Sequence, residues 1–278
     1  MDANAASLRG TGRSNSTFSI RQAVLIASIH MLALVALFVP SKLGVVAFAV
    51  TYLVSGYGIS LGYHRGLSHG AFRARPVVLA ALCAMGALAL QAGPIAWVSF
   101  HRAHHRYQDR PGDPHAASRG FLWSHVGWAL YKGPNGYRRQ RLRHLTAGLT
   151  RRPFLRWLER WHFVMNVGLF AATAFVANAS VALWAFPLRI VILWHVTWLT
   201  NSVAHGAHRH EVVPRNVHWL ALIGFGEGLH ANHHAAPSEP CFARARGEKD
   251  PGYWMLKLLA QARLVHLAPS KATCDEVR

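Results

Sequence analysis

Four stretches of this chain are apolar for about 20 residues, the length an α-helix needs to cross a bilayer. They run over about 22–39, 44–62, 161–180 and 182–202. Backbone in lipid must satisfy its own polar groups, so such runs fold as helices. Short connections, "PSKLG" and "ANASVA", join them in pairs. The pattern predicts two helical hairpins through a membrane. Composition agrees, with 52% hydrophobic and only 15% charged residues. A fifth apolar run, "PVVLAALCAMGALALQAGPIAW" at 76–97, is also long enough to span.

The charges are lopsided: 30 Lys+Arg against 11 Asp+Glu, a net charge of +19. A soluble nucleic-acid binder would not separate its basic residues by long apolar runs, and no nucleic-acid motif occurs. The basic residues instead set an orientation. The segment 102–160 holds 13 Lys+Arg against 3 acids, and the N-terminal tail adds Arg9, Arg13 and Arg21. The short loops on the other face hold only Lys42. By the positive-inside rule both termini and the central loop are expected to be cytoplasmic. The first apolar run lacks a following small-residue cleavage site and reads as a retained anchor. Cys83, Cys241 and Cys274 are odd in number and far apart, which points away from a disulfide framework or a structural zinc site.

Nineteen histidines stand out in such a chain. Two of the clusters share the pattern H-x-x-H-H: "HRAHH" (His101, His104, His105) and "HANHH" (His230, His233, His234). Chance gives about 0.1 such patterns in a chain of this composition. The pattern H-x-x-x-x-H, in His64/His69 and His205/His210, is expected about once and is weak. On a helix, residues i, i+3 and i+4 share a face, so each triad is expected to point at one volume. Two imidazole triads exceed what one tetrahedral ion holds, so two ions are the natural count. Such donors suit iron, zinc, copper or nickel, not magnesium or calcium. His64 and His69 lie about 140° apart on an ideal helix. They share a site only if the helix ends or bends, which Gly62, Gly66 and Gly70 permit.

Topology gives a second argument. His64 and His69 follow the second span, and His101 follows the fifth run. One crossing by 76–97 would put them on opposite faces. That run is therefore expected to be a non-crossing helix, with a re-entrant hairpin broken near Gly86 or 92–94 as the alternative. Every cluster then ends on one side. His30, His144, His162, His195, His218 and His266 read as packing or interfacial residues. The absence of H-E-x-x-H argues against a zinc protease. "GFGEG" at 224–228 has no βαβ unit around it to make a dinucleotide loop. A metal transporter would place its ligands near the midplane, not at span ends.

The stretches "GYHRGLSH" (62–69), "HRAHHRYQDRPGDPHAASRGFLWSHVGW" (101–128), "TNSVAH" (200–205), "RNVHWLALIGFGEGLHANHH" (215–234) and "DPGYWMLKLL" (250–259) resemble the membrane fatty-acyl desaturases. The likeness is closest to the acyl-CoA Δ9, stearoyl-CoA desaturase-like type and covers most of residues 20–268. It implies an all-α integral membrane protein: four spans in two hairpins, capped by a cytoplasmic helical di-metal domain. It implies a desaturase domain over 22–268 between a tail at 1–21 and a tail at 269–278. It implies an oxidoreductase with a di-iron centre held by His64, His69, His101, His104, His105, His205, His230, His233 and His234, with Asn201 reaching one ion through water. O2 is the implied co-substrate, and the substrate is a saturated acyl chain on CoA, a carrier protein or a lipid, with CoA expected. The length leaves no room for a haem or flavin domain, so a separate electron-transfer protein is expected. A bacterial inner membrane is the expected location.

Asp113 and Glu227 fall inside the matching stretches and are expected to orient imidazoles or to serve structure. Arg138, Arg139, Arg141, Arg143, Arg151 and Arg152 are expected either to attract an anionic carrier or simply to mark the inner face. A fatty-acyl or alkyl hydroxylase on the same scaffold is the alternative reading. The chain departs from the family at Leu229, where an aromatic residue is usual, and at Ala231, where an asparagine is usual. Ser99 and Phe100 stand where animal members carry a charged pair, which weighs against CoA recognition there.

Overall fold

The computed structural model describes residues 17–132 and 143–267. Arg9, Arg13, Arg138, Arg139, Arg141 and the tail at 269–278 lie outside them. In chain order the helices are α1 (Ile20–Leu37), α2 (Lys42–Tyr57), α3 (Pro76–Ala87), α4 (Pro94–Tyr107), α5 (Trp128–Leu130), α6 (Pro153–Val176), α7 (Ala179–Leu183), α8 (Arg189–Ser202), α9 (His218–Ile223), α10 (His230–Ala235) and α11 (Pro251–Gln261). Local chemistry sets their starts. Ser41 Oγ accepts from the Gly44 amide at 2.9 Å, and Asn178 Oδ1 from that of Val181 at 3.0 Å. Prolines open α3, α4, α6 and α11, where a missing N–H costs nothing.

Among the described residues three helices are long and apolar enough to cross a membrane: Ile20–Leu37, Lys42–Ser68 and Ala179–Ser202. Their outward faces carry large apolar side chains such as Met31, Leu34, Val46 and Val50. The third expected span, 161–180, lies mostly within α6, which starts earlier and carries Arg156, Glu159 and Arg160 in its first half.

Among the described residues three π-helical segments occur, one of them Trp123–Gly127 just before α5. Gly58–Ser68 continues α2, and Trp184–Leu188 joins α7 to α8 around Pro187. In a π turn the bonds run from i+5 to i, so residues five apart stack over one another. This corrects the expected bend between His64 and His69. The helix widens instead, the His69 amide donates to the His64 carbonyl at 3.2 Å, and the two rings sit 5.0 Å apart. Gly62 serves close approach: a Cβ there would meet the Leu82 carbonyl at 2.6 Å.

The run 76–97 is not one helix, which corrects that expectation: α3 ends at Ala87, residues 88–93 interrupt it with left-handed Leu90 and Ala92, and α4 starts at Pro94. Irregular backbone at membrane depth survives only when protein satisfies its polar groups. Asn166 Nδ2 donates to the Ala87 carbonyl at 3.0 Å, Arg189 Nη1 to that of Leu88 at 2.5 Å, and Trp194 Nε1 to those of Ala89 and Leu90 at 3.1 and 3.2 Å. Glu159 Oε2 then accepts from the Ile95 and Ala96 amides at the start of α4. Two short antiparallel clasps complete the fold: β1 (Thr17–Phe18) with β3 (Tyr131–Lys132), and β2 (Arg73–Ala74) with β4 (Val265–His266). Cys83 is a free buried thiol.

Candidate metal centre

Different local devices bring the histidines together. α4 carries His101, His104 and His105, and α10 carries His230, His233 and His234. The π segment and its cap carry His64 and His69, and His205 lies in the turn after α8. Arg102 on α4 pins the end of the π segment, donating to the Leu67 and Ser68 carbonyls at 2.7 and 3.0 Å. Asn216 Oδ1 accepts from the Ala231 and Asn232 amides and holds the start of α10. Asn232 Nδ2 in turn donates to buried Glu248 at 2.8 Å.

All nine histidines converge, in two adjoining groups. In one, a ring nitrogen from each of His64, His69, His101, His105 and His233 lies within 4.8 Å of all the others; in the other, the same holds for His104, His205, His230 and His234. Neither triad points at a single volume, contrary to the spacing argument. Positions i+3 and i+4 diverge by about 100° around a helix. His104 therefore joins one group while His101 and His105 join the other, and His233 parts from His230 and His234. The rings of His105 and His234 stack at 4.4 Å where the groups meet.

The donor set fits metal ions. Nδ1 of His64 faces Glu227 Oε2 at 2.5 Å, that of His104 faces Asp113 Oδ2 at 2.8 Å, and that of His205 faces Asp109 Oδ2 at 2.8 Å. A neutral ring that donates from Nδ1 keeps a lone pair on Nε2. These Nε2 atoms lie 3.0 Å from His233 Nε2, 3.2 Å from His234 Nε2 and 2.8 Å from His230 Nε2. Lone pairs crowded this closely repel unless a cation sits among them. An all-imidazole set suits late first-row metals, and the carboxylates fix which nitrogen faces the ion.

Burial keeps seven of these rings neutral, as a ligand must be. Burial first, then neighbouring cationic and imidazole groups, brings His69 and His105 down to about 2. The same causes push His101, His104, His230, His233 and His234 well down. Burial raises Asp113 to about 7, while the Asp109 and His115 amides pull it the other way. Burial alone would raise Glu227, but His64, Arg65 and Ser60 outweigh it and leave the carboxyl below its usual range. The metal-free protein therefore keeps full stability above about pH 6.5, where unfolded histidine is also neutral. Its histidine-linked stability is lost as pH falls from there towards about 2, because unfolded histidines take up protons that buried His69 and His105 refuse; Asp113, raised to about 7, works in the opposite sense but is a single group. Its melting temperature should be lower at pH 5.5 than at pH 7.5; equal values would contradict this assignment.

A cleft adjoins the histidines. His64, His101, His104 and His230 line one part of it, with Asn201, Thr200 and Glu227. Trp97, Leu193, Val196, Thr197, Gly56 and Phe225 line the rest. Phe225 is left-handed, with φ 58°, and its ring occupies the space a side chain at Gly56 would take. Tyr52 and Tyr57 pack on that ring at 5.5 and 4.7 Å.

Sequence reasoning singled out the nine histidines, Asn201, Asp113 and Glu227. His208 and His210 are exposed and belong to neither group. It missed Asp109, Arg65, Asp250 and Glu248. A signal for Asp109 did exist. Among 13 basic residues the segment 102–160 holds only three acids, Asp109, Asp113 and Glu159. Each of the three proves to hold a ligand-candidate imidazole or a helix start.

Comparison with known proteins agrees with this geometry. A sequence model of the fatty acid desaturase family matches residues 40–246. The chain is 37% identical over 242 residues to the sn-2 palmitoyl-lipid 9-desaturase of Nostoc sp. (strain 36), covering 83% of each chain. It is 31% identical over 260 residues to the sn-1 stearoyl-lipid 9-desaturase of Synechocystis sp., covering 90% of this chain and 80% of the relative. It is 33% identical over 225 residues to the icosanoyl-CoA 5-desaturase of Limnanthes douglasii, covering 78% of this chain and 62% of the relative. Apolar helices, converging histidines and a match over most of the length lead to one conclusion: the chain belongs to the fatty acid desaturase family.

Proposed function

We propose that this desaturase uses two iron ions, held by the nine histidines with Asn201 beside them, to place a cis double bond at the Δ9 position of a saturated acyl chain. The observation that carries this reading is the cleft, lined by histidines of both groups together with Trp97, Leu193, Val196 and Phe225. Such a lining suits a hydrocarbon chain. The overall change consumes O2, two electrons and two protons, takes one hydrogen from each of two adjacent methylenes, and releases two waters. Bound iron supplies the redox chemistry that unactivated C–H bonds need and side chains lack.

The chain's own residues do the positioning. Glu227, Asp113 and Asp109 hold the Nδ1 protons of His64, His104 and His205, which fixes ring orientation. Trp97 and Leu193 exclude water from the wall of the cleft. Thr197 Oγ1 accepts from Gln91 Nε2 at 2.8 Å, which removes two polar groups from the acyl path. Phe225 sets the depth. Phe225→Ala should shift the products towards longer chains, read by gas chromatography; an unchanged length profile would show that Phe225 does not close the cleft.

The family likeness points to a CoA thioester. Two observations favour a lipid-linked acyl chain instead. Relatives such as the Nostoc enzyme carry lipid substrates in their names. Ser99 donates to its own helix at Ala96 and Phe100 packs on Trp128 at 6.0 Å, so neither offers a charge to an anionic carrier. α6 serves as the fourth span in this reading, and the histidines face the cytoplasm, in bacteria from the inner membrane. Exposed Arg106 and Arg209, beside the ligand positions 105 and 205, suit a separate acidic electron donor. Expression in a host lacking desaturases, followed by lipid mass spectrometry, tests the proposal. New monounsaturated acyl chains are expected. Hydroxylated chains alone, or no new product from iron-loaded protein with a competent donor, would overturn it.

A further inference from the structure

Two arginines share one face of the short clasp between β2 and β4. Residues two apart in extended backbone point the same way, about 7 Å from each other, which sets Arg73 beside Arg75. Arg73 pairs with His266 and Ala74 with Val265. Directly opposed residues lie on the same side of a ladder, so His266 joins the arginine face and Val265 the other. Burial agrees: Arg73, Arg75 and His266 are exposed, and Val265 is buried. Arg263, in the turn between α11 and β4, adds another exposed cation. Nothing acidic answers them locally. The stretches 70–77 and 251–267 hold no Asp or Glu, and among the described residues no ion pair engages these three arginines.

Apolar surface adjoins the cations. Pro76 opens α3 directly after Arg75, and Val77 is 72% exposed. α11 carries Trp254 and Leu258, 51% and 57% exposed and one turn apart on one face. The bilayer runs alongside. α3 is apolar throughout, and its far end is held at the Ala87 and Ala89 carbonyls by Asn166 of α6 and Trp194 of α8. α8 lies within a helix long and apolar enough to span. α3 therefore runs beside the spans, and its start marks the level where the chain meets the membrane surface. Basic side chains just outside an apolar helix, with an exposed tryptophan beside them, suit the headgroup layer. A guanidinium fork matches two phosphate oxygens. A choline headgroup would bring a further cation against this surface, so an anionic lipid is the better fit.

We propose that Arg73 and Arg75 clamp the phosphate of an anionic phospholipid in the adjoining leaflet, with the Trp254–Leu258 face of α11 seated at the headgroup boundary. None of these residues lines the cleft. The inference rests on the membrane placement of α3 and not on iron or on the acyl substrate.

The test uses the full-length protein in detergent, given equal amounts of phosphatidylglycerol and phosphatidylcholine with the same acyl chains. Native mass spectrometry counts the lipids retained. Wild type should retain phosphatidylglycerol in preference. One basic residue near a membrane surface is worth about fivefold in such binding, so Arg73→Gln/Arg75→Gln should weaken the preference by more than about tenfold. Arg73→Lys/Arg75→Lys should keep most of it, and so should Arg106→Gln/Arg209→Gln, which changes exposed arginines elsewhere. In vesicles of brominated phosphatidylcholine, the fluorescence lost in Trp254→Phe should be a component that bromine quenches. Equal retention of the two lipids by wild type, a preference that survives the glutamine pair, one lost equally in Arg106→Gln/Arg209→Gln, or an unquenched Trp254 would each overturn the proposal. A glutamine pair that keeps the lipid preference but loses turnover with an electron donor would assign the patch to a protein instead. If the glutamine pair fails to fold, salt decides with the wild type alone. Added sodium chloride should strip phosphatidylglycerol and spare phosphatidylcholine, and a preference indifferent to salt would contradict the clamp.

Discussion

Replacing His233 with alanine is expected to abolish desaturation and to release iron. His233 is fully buried, and its Nε2 lies 3.0 Å from that of His64 and 2.9 Å from that of His105. It is the contact through which α10 joins the π segment and α4. Removing an outer partner of a metal ligand typically costs about 10–100-fold in affinity or activity. Glu227→Ala or Asp113→Ala should fall in that range. Loss of a ligand itself should exceed it, taking activity down by more than about 100-fold. The His233→Ala protein should still fold, because Phe242, 4.7 Å away, closes that side. Activity assays and iron counts on folded variant check both parts. Retained activity within about tenfold of wild type would remove His233 from the ligand set.

The second large effect is on folding. Arg65 is fully buried beside the ligand position His64. Its Nη2 donates to both oxygens of buried Asp250, at 2.8 and 3.0 Å. Its Nη1 donates to Ser60 Oγ and lies 3.6 Å from Glu227. The guanidinium also covers the Phe242 ring at 3.9 Å. The chain makes room for it at Gly252, where a Cβ would meet Nη1 at 2.0 Å. Asp250 meanwhile caps α11 through the Tyr253 amide and accepts from the Phe242 amide. One cation thus joins the π segment, the Glu227 loop and α11. Arg65→Met keeps the bulk but strands the buried Asp250 carboxylate. Breaking a buried pair in this way costs about 3–5 kcal/mol. The variant should unfold at markedly lower temperature, while Asp250→Asn, which leaves a neutral acceptor, should lose less. Equal melting temperatures for wild type and Arg65→Met would show that the network does not hold the fold.

The nine histidines and the membrane character were legible because both depend on local pattern. Apolar runs of bilayer length and two H-x-x-H-H clusters need no knowledge of tertiary contacts. The division of labour within each cluster was not legible. It follows from how α4 and α10 face each other, and single-helix spacing carries no such information. The widening at Gly58–Ser68 also left no trace in hydrophobic period, since the segment is buried almost all round. The interruption at 88–93 depends on Asn166, Arg189 and Trp194, donors 70 or more residues away in sequence. The contact between His30 and His195 was equally illegible: each is a lone histidine on an apolar helix, and only the fold sets one against the other.

The central claim is that two groups of five and four histidines hold a pair of irons above an acyl cleft. The most direct measurement is the iron-to-chain ratio of purified protein reconstituted without oxygen, compared with His233→Ala and His104→Ala, one variant in each group. The account predicts two irons per chain in the wild type and at least one lost in each variant. A wild-type ratio of one, or a ratio of two that survives both substitutions, would contradict it.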